Sequence, residues 1–131
     1  MEVVNHVHEA TKACTVLLVD DDDDVRETMG FALELDGHNV VMAVNGRDAI
    51  ERLRAMTLPP CLIISDLDMP VMDGWSLHRK LCDEPRFVDV PIVVISGSLL
   101  PAPPGVEAAL VKPVSPSLLY LLLHRHRRCV G

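Results

Sequence analysis

Short apolar runs, most of them ending in or followed directly by a polar or charged residue, alternate along this chain with stretches in which apolar residues recur every three or four positions. The runs are Thr15–Val19, His38–Ala43, Cys61–Ser65, Pro91–Ser96 and Val106–Val111. Their brevity, β-branched content and flanking Gly, Pro or Asp predict strands. Runs without polar alternation are those of strands covered on both faces, the parallel-sheet kind. Between the first two runs, Val25, Met29, Ala32 and Leu33 form a helical stripe that stops at Asp36-Gly37. Between the second and third, Asn45 caps a helix with Asp48 as a partial capping box, and Ala49, Ile50, Leu53 and Met56 form its apolar face. After the third run a loop passes Asp73-Gly74, and a short helix places Leu77 and Leu81 on one side.

The crossover after the fourth run differs. Residues 98–105 read SLLPAPPG, and interior prolines cost a helix about 3 kcal/mol each. A fourth helix is therefore expected to be shortened or missing there. Ser115 then caps a last helix with Pro116 at its first position. Leu118, Leu119 and Leu122 are expected to face inward, with Tyr120, Leu121 and Leu123 exposed. Residues 1–13 have no period and read as a flexible leader, leaving 14–131 as one domain. Strand and helix in alternation predict an α/β fold: a doubly wound, flavodoxin-like, five-stranded parallel sheet of order 2-1-3-4-5.

With 131 residues the chain is long enough to bury a real core. Aromatics make up only 3%, so Val, Ile, Leu, Met and Ala must build it. A net charge of −7 argues against a nucleic-acid partner. The basic tail His124–Arg128 suits the carboxyl end of a helix. Cys14, Cys61, Cys82 and Cys129 are widely spaced, with neither a disulfide framework nor a zinc pattern. No apolar run approaches the roughly 18 residues of a membrane span, and no signal peptide opens the chain. The expectation is a cytoplasmic protein.

The polar residues that end the strands carry the chemistry. Asp20 and Asp21 follow the first strand, Asp66 ends the third, Ser96 the fourth, and Lys112 follows the fifth. In such sheets all carboxyl ends share one edge, and a switch between strands one and three opens a crevice there. Three carboxylates in a crevice repel, so without a cation at least one should have a raised pKa. Oxygen-only ligands suit Mg²⁺. A hydroxyl and an ammonium opposite suit a phosphoryl group, with Asp66 as nucleophile.

Four stretches carry a resemblance: VLLVDDDDDVR (16–26), LIISDLDMPVMDG (62–74), PIVVISG (91–97) and VKPV (111–114). Together, in this order, they resemble the receiver domains of two-component response regulators. The resemblance implies that Asp66 is the phosphoacceptor, phosphorylated by a sensor histidine kinase or a histidine phosphotransfer protein. It implies Mg²⁺ held by Asp21, Asp66 and the backbone carbonyl of Asp68, with Asp20 reaching it through water. Ser96 would be the switch hydroxyl and Lys112 the partner of the phosphoryl oxygens, with Lys112-Pro113 cis. The Asp68 position would tune the lifetime of the phosphoryl group. Such a protein catalyses its own phosphoryl transfer and hydrolysis without being a turnover enzyme.

Two departures stand out. The Ser96–Lys112 stretch is short, and the usual aromatic rotamer switch falls on Ala109, with Tyr120 too far along to replace it. The expected route for the signal is Ser96, the SLLPAPPG loop and the last helix. Leucines left exposed on that helix point to a partner or homodimer surface. Two other functions compete: a receiver-like binding module that is not phosphorylated, and a haloacid-dehalogenase-like phosphatase suggested by Asp66-Leu67-Asp68.

Overall fold

A computed structural model describes residues 15–69, 72–97 and 103–125. The expected leader, most of the SLLPAPPG segment and the end of the basic tail lie outside these residues. The elements are β1 (Thr15–Val19), α1 (Asp23–Leu35), β2 (Asn39–Ala43), α2 (Gly46–Ala55), β3 (Leu62–Asp66), α3 (Gly74–Cys82), β4 (Ile92–Ser96), β5 (Ala108–Val111) and α4 (Pro116–Arg125). The five strands form one parallel sheet in the order β2-β1-β3-β4-β5, as the alternation predicts. The described residues between β4 and β5, 97 and 103–107, contain no helix.

The first four strands feed both faces, and β5 packs Ala108 and Leu110 on one. Leu17, Val19, Ile63 and Val94 pack with Ala49, Ile50 and Leu53 of α2 and Leu77 and Leu81 of α3. Val16, Leu18, Ile64, Val93 and Ile95 pack on the other face with Met29 and Leu33 of α1 and Leu119, Leu122 and Leu123 of α4. Every residue of β3 and β4 is buried, which is why these two runs show no polar alternation.

The helix starts follow capping chemistry. Asp22 accepts from the N–H groups of Asp24 and Val25 at the start of α1. Asn45 accepts from Asp48 N–H, while Asp48 reaches back to Val44 N–H, one residue before the expected partner of a capping box. Asp73 caps α3 through Ser76 N–H, and Ser115 accepts from Leu118 N–H. Asp22→Ala is expected to lower stability by about 1 kcal/mol. A urea midpoint equal to that of the parent chain would show that water replaces the cap without loss.

Four strand starts and one helix phase differ from the expectation; β3 and β4 each begin one residue late, at Leu62 and Ile92. β2 begins at Asn39 because His38 is buried and turned to Asp36, Nε2 to Oδ2 3.1 Å. β5 begins at Ala108, two residues late. On α4, Leu118 is 38% exposed and Leu123 is 1% exposed, the reverse of the predicted assignment. Residues 119, 122 and 123 share one face at i, i+3 and i+4, and residue 118 is turned well away from it. Tyr120 is half-buried, with its hydroxyl donating to Ala32 O of α1 at 3.2 Å.

Candidate functional site

Sheet register assembles the site. Val19 pairs with Ser65, so Asp20 and Asp66 leave adjacent strands at the same level. Asp66 pairs with Ile95, and Ser96 pairs with Val111, which sets Lys112 at the same edge. Lys112 N–H donates to Ser96 O at 2.8 Å. The Lys112-Pro113 peptide is cis, as expected from the resemblance.

Lys112 Nζ lies 3.2 Å from Asp66 Oδ2 and 3.2 Å from Asp20 Oδ2. The sequence reading set the lysine against the phosphoryl oxygens; before any phosphoryl group arrives, the ammonium serves both buried acids. Asp66 is 4% exposed, and burial pushes its carboxyl above the ordinary 3.8. The N–H of Asp68, donating to Asp66 Oδ1 at 3.1 Å, pulls it back, the charge of Asp20 adds to the rise, and Lys112 opposes it. The rise expected of at least one crowded acid therefore falls on Asp66. Burial alone would lower the Lys112 ammonium, but its bonds and charge pairing with Asp66 and Asp20 hold it above its ordinary value.

One oxygen each of Asp20, Asp21 and Asp66 lies within 4.8 Å of the others. Asp20 and Asp66 are buried and Asp21 is exposed, so the cluster has a protein side and a water side. An all-oxygen set open to solvent fits a hard divalent cation that keeps several waters. The Asp68 carboxylate stands apart from this cluster. It is exposed and lies 3.4 Å from the hydroxyl of Ser96, which is buried. Ala109, where a rotamer-switch ring was expected to be missing, is exposed on β5.

The sequence reading missed Arg26. Its Nη1 donates to Asp20 O at 2.7 Å, and its Nη2 pairs with Asp23. The signal was available as the one basic residue within an otherwise acidic loop and first helical turn.

A match to the response regulator receiver domain family spans residues 16–123. The chain belongs to that family. This receiver domain is a phosphoacceptor module of two-component signalling, in a family whose members are generally signalling switches. It is 34% identical to the two-component response regulator ORR41 of Oryza sativa subsp. japonica over 126 residues, 90% of this chain and 98% of that protein. It is 34% identical to the response regulator Rre1 of Synechocystis over 112 residues, 80% of this chain and 48% of that protein. A gliding motility regulatory protein of Myxococcus xanthus shares 35% over 109 residues, 79% of this chain but 14% of its own length. The receiver domain thus spans less than half of two of these relatives and nearly all of the third.

Among solved structures, the signal receiver domain of a histidine kinase from Syntrophus aciditrophicus superposes with a TM-score of 0.78 at 29% identity, covering 91% of this chain and 93% of that one. The chemotaxis response regulator CheY4 of Vibrio cholerae gives 0.77 at 28%, covering 86% and 98%. Among the described residues of the receiver domain, no helix is long and apolar enough to cross a membrane.

Proposed function

We propose that Asp66 is the phosphoacceptor, with Mg²⁺ held by Asp20, Asp21, Asp66 and the backbone carbonyl of Asp68, and with a sensor histidine kinase or a histidine phosphotransfer protein as donor. The supporting observation is the ammonium of Lys112 set 3.2 Å from both Asp66 and Asp20, although the three residues come from three strands. When bound, Mg²⁺ supplies positive charge to the phosphoryl oxygens and to the crowded acids.

An oxygen of Asp66 attacks the phosphorus of a partner's phosphohistidine. The new O–P bond forms as the N–P bond breaks, and the imidazole nitrogen leaves with the electron pair and takes up a proton. Lys112 is already beside Asp66 and neutralises one of the incoming oxygens. Ser96 offers its hydroxyl to another. Hydrolysis reverses the gain: water attacks phosphorus, Asp66 leaves as the carboxylate, and inorganic phosphate is released. The chain is thus a self-modifying switch in the cytoplasm, comprising residues 14–131, and its conformation is the output.

The test is incubation with a small phosphodonor and Mg²⁺, followed by intact mass. One phosphoryl adduct is expected on the native chain and none on Asp66→Asn. An adduct on Asp66→Asn would move the acceptor elsewhere. Ala109 favours a second reading, a binding module that is not phosphorylated, and a native chain without any adduct would select it.

A further inference from the structure

Every polar atom of Asp20 is engaged. Its N–H donates to Ala43 O at 3.1 Å, its Oδ1 accepts from Asp22 N–H at 2.9 Å, and its Oδ2 faces Lys112 at 3.2 Å. Its carbonyl accepts from Arg26 Nη1 at 2.7 Å, which ties the end of β1 to α1 by a side chain. The other arm of the same guanidinium pairs with Asp23, and the Arg26 side chain is 11% exposed. Asp21 has a carboxylate in the three-acid cluster but stands exposed between Asp20 and the cap residue Asp22. Its placement therefore depends on how firmly its two neighbours are held. Asp22 is held by the first turn of α1, and Asp20 is held to that helix by Arg26.

We infer that Arg26 is a positioning residue for the divalent-cation site: by clamping the Asp20 carbonyl to the first turn of α1, it holds the Asp20-Asp21 pair at ligand spacing without touching the ion. The inference rests on the reading of Asp20, Asp21 and Asp66 as cation ligands and adds to it a residue that sets the affinity. A planar fork reaches the carbonyl and the carboxylate from two separate nitrogens held in fixed geometry, whereas a lysine has a single nitrogen on a flexible stem. Partners that orient metal ligands change metal affinity by about 10- to 100-fold when removed. The guanidinium is also a like charge near the cation, so its removal has two opposite effects. Arg26→Lys separates them by keeping the charge and losing the fork.

The experiment is calorimetric titration of the metal-free chain with Mg²⁺, alongside thermal melts. The dissociation constant is expected to rise about tenfold in Arg26→Lys and to rise in Arg26→Met as well. With a small phosphodonor, half-maximal labelling should need correspondingly more Mg²⁺, while the plateau rate at saturating Mg²⁺ stays at the native value. A purely structural role would lower the melting temperature and leave the dissociation constant unmoved. Unchanged affinity in Arg26→Lys, or tighter binding in Arg26→Met, overturns the inference. Asp23→Ala, which removes the acceptor of the second arm and leaves the first, gives a milder test if either Arg26 variant fails to fold: a rise of a few-fold supports the clamp, and no change overturns it. A native chain that does not bind Mg²⁺ instead defeats the assignment of the cation ligands themselves.

Discussion

Lys112→Met destabilises the metal-free domain by about 3 kcal/mol at neutral pH, the scale expected when one partner of a buried charge network is removed. Two buried carboxylates, Asp20 and Asp66, share this ammonium. Without it they face each other in a site that already holds Asp66 above its ordinary value. Lys112 opposes that rise, so the variant raises Asp66 further. A carboxyl whose folded pKa exceeds its unfolded value favours folding below the unfolded pKa, and the benefit disappears as pH rises through the folded pKa. The deficit of Lys112→Met should therefore be full at neutral pH and shrink as pH falls toward the ordinary carboxylate value of 3.8. Urea midpoints measured across that range report it directly. A deficit independent of pH would mean that the lysine acts through packing of its stem. Adding Asp66→Asn to the variant should recover part of the loss by removing one of the two competing charges.

Gly74→Ala is the second large effect. A Cβ at Gly74 would lie 2.6 Å from Asp66 O and 2.9 Å from Leu67 Cα, both backbone atoms that cannot rotate away. Alanine is the better helix former by about 1 kcal/mol, but overpacking against a fixed strand end costs about 1–3 kcal/mol. Because Gly74 N–H also donates to Leu67 O at 3.0 Å, the clash falls on the turn that aims the acceptor. The expected result is a net loss of up to about 2 kcal/mol. Phosphodonor labelling should slow by roughly tenfold or more, since misplacements on the order of 1 Å cost reactions up to about 100-fold. Native stability together with a native labelling rate would show that α3 can retreat from the strand without moving Asp66.

The sequence showed the sheet clearly because β1, β3 and β4 are buried on both faces and leave unbroken apolar runs. The acids and the lysine stood out because charges directly after such runs have little reason to be there unless the strand ends meet. The last helix was harder to phase. Leucine at 118, 119, 121, 122 and 123 offers several equivalent apolar faces, and the choice is made by contacts the sequence does not display, among them Tyr120 reaching Ala32. Phe87 was equally hidden. It lies in an aperiodic stretch between Pro85 and Pro91, yet is 2% exposed in the core, with Arg86 over its ring at 5.1 Å. Arg26 escaped notice because its chief partner is a carbonyl, a group every residue carries.

The fifth strand is the shortest, four residues long, and its side chains alternate between half-buried and exposed. Such a strand has little apolar weight with which to choose its alignment against β4. Sliding it by one position would offer valine or proline to a pair of buried anions that accept only a cation. The ion triad thus proofreads the alignment of the sheet's weakest member. Substitutions at Lys112 should then loosen the β5 edge as a whole, and they would do so even in a chain that is never phosphorylated.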